Sequence, residues 1–95
     1  MATSLEILNS GAASSWMLGD RGPRMVSEGF DDVASAVNIF VKDLGLVMDA
    51  AKNSQFDAPI AHAAHQSFLA AAAEGLGALD DSAVFKHYCD QPPKA

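Results

Sequence analysis

The chain has 95 residues, enough for one small domain, and 49% of them are apolar, with many alanines. This composition favours closely packed helices over a sheet. The net charge of −6 argues against a nucleic-acid partner, because phosphates need a basic surface. No apolar run reaches membrane-spanning length and no secretory signal is visible, so we expect no membrane partner. The single cysteine, Cys89, excludes an intrachain disulfide and fits a reducing cytoplasm, the expected location.

The first two predicted elements are helices separated by a turn. Residues 3–9 are predicted to form one short helix. Residues 13–26 are predicted to form a second helix that is broken or kinked, because Gly19, Gly22 and Pro23 interrupt it.

Arg21 and Arg24 are the only arginines, and they lie on one side of this second helix. Two interpretations of the pair remain open. The arginines could hold an anion such as a substrate carboxylate, or they could pair with Asp20 and Glu28 on the surface.

The strongest periodicity in the chain lies in residues 37–52. Its apolar positions recur at spacings of three and four, which predicts one buried helix face: Val37, Phe40, Val41, Leu44, Val47, Met48 and Ala51. The preceding loop, residues 27–36, offers Asp31, Asp32 or Ser35 as the helix cap.

A second face of the same helix carries a cation among apolar residues. Lys42 lies between Ile39 and Leu46 at helical spacing, with Ala50 further along, so this face is also expected to meet apolar neighbours. The lysine either extends its ammonium to solvent or meets an anionic group. Gly45, without a side chain, lets another backbone or a ligand approach the Lys42 side.

A second long helix is predicted over residues 59–74. Asp57 is placed to cap it, Pro59 suits its first turn, and Gly75 and Gly77 end it. Its many alanines allow close approach of another helix.

His62 and His65 are three residues apart, a spacing compatible with shared metal ligation. No carboxylate or cysteine stands at matching spacing, so we expect no metal site and interpret both as surface or interface histidines.

A last helix is predicted over residues 83–88, capped by Asp80, Asp81 and Ser82. Tyr88 is expected to pack inward and His87 to face outward. Residues 89–95 are expected to form a frayed tail.

Three of these motifs together resemble the β-hydroxyacid dehydrogenase family, which includes 3-hydroxyisobutyrate dehydrogenase and tartronate semialdehyde reductase. They are SSWM at residues 14–17, FVKDLGLVMDAAK at residues 40–52 and DDSAV at residues 80–84. Their order and spacing are most similar to the threonate dehydrogenase branch, and the resemblance covers about residues 5–88.

The resemblance implies an all-α fold over residues 1–88, like the C-terminal domain of 6-phosphogluconate and 3-hydroxyisobutyrate dehydrogenases. Such a domain has about five helices, two of them long and antiparallel. The implied parent enzyme moves a hydride between NAD or NADP and a small 3-hydroxy acid such as threonate or hydroxyisobutyrate. This chain has no GxGxxG loop and no K-x-x-x-N lysine. The resemblance therefore implies a fragment without the Rossmann domain and without catalytic residues, inactive by itself.

Lys42 matches the family's second lysine, which approaches the nicotinamide cofactor, and Asp43 matches the acidic residue beside it. Ser35 stands where many members have an aromatic residue. The implied partners are the Rossmann domain of the parent, a second copy in a homo-oligomer, and the hydroxy acid. The alternative is a stand-alone, non-catalytic helical module kept for association, which the alanine-rich helix would serve equally well.

Overall fold

The computed structural model describes residues 1–89, which form five α-helices, as predicted. Their bounds are Ala2–Asn9 (α1), Trp16–Ser27 (α2), Val37–Asn53 (α3), Pro59–Ala71 (α4) and Val84–Cys89 (α5). A π-helical turn at Ala72–Leu76 and a 3₁₀ turn at Asp81–Ala83 lie between α4 and α5. Residues 1–89 contain no strand, and an isolated antiparallel bridge joins Ala36 to Asp80. The predicted tail lies outside the described residues, except for Cys89, which ends α5.

The two long helices, α3 and α4, pack against each other in antiparallel orientation, as predicted. The rings of Phe40 near the start of α3 and Phe68 near the end of α4 stack with centroids 5.0 Å apart. Further along, His65 lies beside Gly45, where an added Cβ would be 3.6 Å from Nε2. An added Cβ at Gly45 would therefore meet the imidazole of α4 at an ordinary van der Waals distance.

The core is small, as expected for a domain of this length. Its buried residues come from a loop, both long helices and the 3₁₀ turn: Phe30, Val37, Ala71 and Ala83. Of the predicted stripe on α3, Val37 lies in this core and Val41 packs against it, and Ala51 is buried at the far end of the helix. Val47 departs from the prediction, since 46% of its surface is exposed.

The predicted break in the second helix is wrong, because α2 runs without interruption through Gly22 and Pro23. Gly22 instead allows the close approach of α1. A Cβ at this position would be only 2.5 Å from Cδ1 of Leu5, closer than real side chains approach. A side chain at position 22 would thus force Leu5 to shift. Ser15 caps the helix by accepting a hydrogen bond from the Leu18 amide at 2.9 Å.

No side chain caps α3, so the predicted caps Asp31, Asp32 and Ser35 are wrong. Backbone carbonyls from beyond α4 take their place. Val37 N–H donates to Leu79 at 2.9 Å, and Asn38 N–H donates to Gly77 at 3.0 Å. These bonds satisfy helix-end amides that would otherwise lack partners.

The N-terminus of α4 also lacks a side-chain cap. Ala58 occupies the cap position in place of the predicted Asp57, while Pro59 begins the helix as predicted. At the other end, Gly75 adopts φ +89°, a backbone conformation that favours glycine, and the helical path breaks there.

The acidic cap before α5 is confirmed, because the Asp80 carboxylate accepts a hydrogen bond from the Ser82 amide at 3.1 Å. Two side-chain predictions for α5 are wrong. Tyr88 is 57% exposed, with its hydroxyl bonded to that of Ser67. His87 is partly buried, with Nδ1 2.9 Å from the Glu74 carboxylate.

Candidate functional site

Lys42 and Asp43 both lie on the solvent side of α3. Their side chains are 68% and 55% exposed, and Lys42 Nζ is 3.2 Å from Asp43 Oδ1. The pair is therefore a surface ion pair between sequence neighbours, and such pairs contribute little to folding. The ammonium keeps access to a ligand, because Asp43 occupies only part of its hydrogen-bonding capacity.

The apolar residues around Lys42 are exposed as well. Ile39 is 42% and Leu46 is 61% exposed, and Ala50 is exposed one turn further on. Within residues 1–89 this second face of α3 has no apolar cover, although the pattern predicts apolar neighbours for it. We call the surface formed by Ile39, Lys42, Asp43 and Leu46 the Lys42 face. An exposed cation between exposed aliphatic side chains suits an anionic ligand with an apolar part.

Asn38 adjoins the Lys42 face and was not singled out by the sequence. It lies four positions before Lys42, so helical geometry places the two side chains one turn apart. Its carboxamide packs over Gly77, where an added Cβ would lie 2.6 Å from Oδ1. The spacing could have drawn attention to Asn38, but the contact with Gly77 depends on the folded chain.

The two arginines belong to a different site, which we call the Arg–Asp clamp: Arg21, Arg24, Asp20, Asp80 and Asp81. Arg21 holds Asp81 with two bonds, Nε to Oδ1 at 2.6 Å and Nη2 to Oδ2 at 3.2 Å, and it also contacts Asp20. Arg24 lies 3.3 Å from Asp20 and 3.4 Å from Asp80. The clamp joins α2 to the 3₁₀ turn before α5.

This arrangement corrects the prediction for the arginine pair in part. Asp20 is a partner as predicted, but the Glu28 carboxylate forms no ion pair with either arginine. Glu28 ends α2 in a left-handed conformation, and it is its backbone amide that bonds the Arg24 carbonyl. Arg21 is 11% and Arg24 is 21% exposed, and both already face carboxylates. The structure thus uses both arginines internally, and the anion-holding interpretation loses its support.

Asp80 is completely buried in the clamp. Its carboxylate accepts hydrogen bonds from the Ala34 amide at 2.8 Å and from the amide and hydroxyl of Ser82. Burial is the largest influence and raises the pKa of Asp80, but these hydrogen bonds and Arg24 together outweigh it. The net effect lowers the pKa from 3.8 to about 2. The pKa of Arg21 is raised above its ordinary value, chiefly by its hydrogen bonds to Asp81.

The two histidines do not form a joint site. His62 is exposed on α4, whereas His65 is partly buried against α3. Across residues 1–89, no three His, Cys, Asp or Glu side chains come together in a way that could hold a metal ion. In the same part of the chain, none of the helices has the length and apolar character needed to cross a bilayer.

The chain matches, over residues 1–88, the family described as the NAD-binding domain of NADP-dependent 3-hydroxyisobutyrate dehydrogenase. It belongs to this family, and the prediction of NAD or NADP as the cofactor of the parent enzyme is confirmed.

Among characterised proteins, the chain is similar to L-threonate dehydrogenases. It is 44% identical to the Cupriavidus necator enzyme and 46% identical to the Escherichia coli K12 enzyme, in both cases over 81 residues and 85% of this chain. The chain spans about a quarter of the length of these relatives, 27% and 26% respectively.

The fold is similar to that of 3-hydroxyisobutyrate dehydrogenase from Salmonella typhimurium. The two superpose with a TM-score of 0.86 at 41% identity, covering 90% of this chain and 30% of that one. The predicted all-α dehydrogenase domain is therefore confirmed, and so is the resemblance to the threonate dehydrogenase branch.

The residues of the Lys42 face fit a nicotinamide cofactor in part. An accessible ammonium between two aliphatic side chains can contact an anionic or amide-bearing ligand lying along α3. Residues 1–89 contain no glycine-rich phosphate loop following a strand, so the rest of a nicotinamide site would have to come from outside this part of the chain.

Proposed function

We propose that the chain is the C-terminal helical domain of an NAD(P)-dependent dehydrogenase that oxidises a small hydroxy acid of the threonate type. The Lys42 face forms one wall of the cleft against a Rossmann domain. One observation carries this proposal: the KDL lysine lies exposed on an apolar helix face that has no cover within residues 1–89. A cation in that position is available for a ligand.

The bound nicotinamide would accept the hydride from the carbinol carbon of the acid. The role of Lys42 is electrostatic. Its ammonium attracts the carboxylate of the substrate and holds it in a fixed orientation on the rigid α3 helix. Once a second domain covers Ile39 and Leu46, water is excluded and this attraction becomes stronger than in bulk solvent.

Asp43 keeps the ammonium of Lys42 oriented along α3 when no ligand is bound, because Nζ lies 3.2 Å from its carboxylate. The proton of the substrate hydroxyl must move to a base outside residues 1–89, because this part of the chain presents no lysine in a K-x-x-x-N motif.

The exposed apolar surface supports the proposed partners, a Rossmann domain and a second copy of the chain. Large apolar side chains that are more than half exposed occur on α1, α2, α3, the loop between α3 and α4, and the start of α4: Ile7, Leu8, Trp16, Leu46, Phe56 and Ile60. A protein surface of this kind marks interfaces. The association module favoured by the alternative interpretation would use the same surface, so activity must separate the two functions.

The decisive experiment places this chain in a complete enzyme. The matching 81-residue segment of the Cupriavidus necator L-threonate dehydrogenase is replaced by the chain, and threonate oxidation is followed with NAD⁺ and NADP⁺. Lys42→Met should lower kcat/KM by about ten- to a thousandfold, because it keeps the aliphatic stem but removes the charge. Lys52→Met is the matched control, an exposed lysine at the far end of the same helix.

The proposal fails if the Lys42→Met chimera keeps wild-type kinetics while remaining folded. It also fails if the unmodified chimera is folded, by circular dichroism, yet oxidises no hydroxy acid. The isolated chain should show no turnover with either cofactor.

A further inference from the structure

We propose that Asn38 is a second substrate-contacting residue, which recognises a hydroxyl of the acid whose carboxylate is held by Lys42. The protein would then select acids that carry a further hydroxyl besides the oxidised one, and it would discriminate against acids with an alkyl group in that place. This inference rests on the proposed function and names the substrate class of the same site.

The placement of Asn38 is set by the first turn of α3. It lies one turn before Lys42, and side chains four positions apart on a helix are separated by about 5–6 Å. Its backbone N–H is used in the bond to the Gly77 carbonyl at 3.0 Å. Its carboxamide neither caps α3 nor forms a hydrogen bond with any residue in 1–89, and it is exposed. Both donor and acceptor therefore remain available one helical turn before Lys42.

Gly77 provides the space in which this carboxamide lies. Its backbone has φ −57° and ψ −36°, an ordinary helical conformation that every residue adopts, so the backbone does not require glycine. A Cβ at Gly77, however, would lie 2.6 Å from Oδ1, 2.8 Å from Nδ2 and 2.9 Å from Cγ of Asn38. Any larger residue would displace the carboxamide. The position of the Asn38 carboxamide therefore depends on the absence of a side chain at Gly77.

The spacing of the two groups suits a polyhydroxy acid. The ammonium of Lys42 attracts a carboxylate, and a carboxamide one turn away can both donate to and accept from a hydroxyl a few bonds along the same molecule. An alkyl branch in that position would leave the carboxamide unpaired when the cleft closes, which weakens binding. The pair therefore favours threonate-like acids over 3-hydroxyisobutyrate-like acids.

The test uses the same chimera with two acids, threonate and 3-hydroxyisobutyrate. Asn38→Leu should lower kcat/KM for threonate by about tenfold or more and change that for 3-hydroxyisobutyrate by less than about threefold. Gly77→Ala should shift the preference in the same direction by displacing the carboxamide. The double variant should show little further loss, because both changes remove one interaction. Asn53→Leu, at the exposed end of α3, is the control and should leave the preference unchanged.

The outcomes separate this inference from the proposed function. If Lys42→Met impairs the chimera but Asn38→Leu leaves the ratio of kcat/KM for the two acids unchanged, the inference alone is overturned. If Asn38→Leu raises KM for NAD⁺ and affects both acids equally, the residue contacts the nicotinamide carboxamide, and the substrate assignment is wrong. If a folded chimera is inactive, or Lys42→Met has no effect on its kinetics, both the proposed function and this inference are overturned. Thermal unfolding of each variant confirms that the kinetics refer to folded protein.

Discussion

The cations of this domain lie in two contrasting environments. In the Arg–Asp clamp, Arg21 and Arg24 are 11% and 21% exposed and contact several carboxylates, including the buried Asp80 and Asp81. On the Lys42 face, the ammonium is 68% exposed and pairs with its own sequence neighbour. The clamp thus contributes to the stability of the fold, whereas Lys42 contributes little to it.

The comparison shows why the presence of a charged pair says little about function. The arginines could have served an anion, but Arg21 is already hydrogen-bonded to the buried Asp81 and Arg24 forms an ion pair with the buried Asp80. A ligand would have to displace these carboxylates. The clamp also anchors the start of α3, because Asp80 directly follows the Leu79 carbonyl that accepts from Val37. The Arg–Asp clamp holds the start of α3 in place, and the Lys42 face lies about one turn further along the same helix.

The largest effect is expected for Asp80→Ala. The change leaves the Ala34 amide and the Ser82 groups without an acceptor and removes a partner of Arg24. Breaking a buried pair of this kind costs about 3–5 kcal/mol, a large fraction of the stability of a small domain. Urea unfolding followed by circular dichroism should show the loss directly.

Asp32→Ala is the matched control for that experiment. Asp32 is also near Arg24, at 3.9 Å, but its side chain is 93% exposed. Its removal should change the free energy of unfolding by less than about 0.5 kcal/mol. Equal losses in the two variants would mean that burial does not distinguish the clamp from the surface.

The sequence predicted the helices well because each depends on local periodicity. The stripe that begins at Val37 defines α3, and Pro59 marks the start of α4. The helix caps were predicted poorly, because they depend on distant parts of the chain. The amides that begin α3 are satisfied by the Gly77 and Leu79 carbonyls, which no local pattern reveals.

In the candidate site, too, features set by local sequence could be predicted and features set by distant contacts could not. Lys42 could be singled out from its KDL motif, and its role stays a prediction. The pairing of Arg21 with Asp81, sixty positions away, could not be predicted, since Asp20 and Glu28 are nearer acidic residues in the sequence. Asn38 was missed because its placement depends on Gly77, which approaches it only after α4 has folded back along α3.

A loss of folding stability of intermediate size is expected when the pH is lowered. The folded-state pKa of Asp80 is about 2, below its ordinary value of 3.8. Its contribution to stability is therefore complete above about pH 4 and is lost as the pH falls through about 2, an effect of about 2 kcal/mol. Unfolding free energies of wild type and Asp80→Asn should be measured between pH 5 and pH 2.

The difference between those two proteins should shrink as the pH falls, because the asparagine side chain cannot titrate. Other carboxylates titrate in both proteins and cancel in the comparison. A difference that stays constant from pH 5 to pH 2 would show that Asp80 is not held in its charged form by the clamp.

The smallest effect is expected where the charge is exposed. Lys42→Met and Arg24→Met each remove one positive charge from a chain of net charge −6, so their long-range electrostatic effects are alike. Local contacts must then account for any difference in unfolding free energy. Arg24→Met deprives the buried Asp80 of its cation and should cost about 1–3 kcal/mol, whereas Lys42→Met should change stability by less than about 0.5 kcal/mol. A Lys42→Met variant as unstable as Arg24→Met would make Lys42 a structural residue, and the contrast between the two sites would collapse.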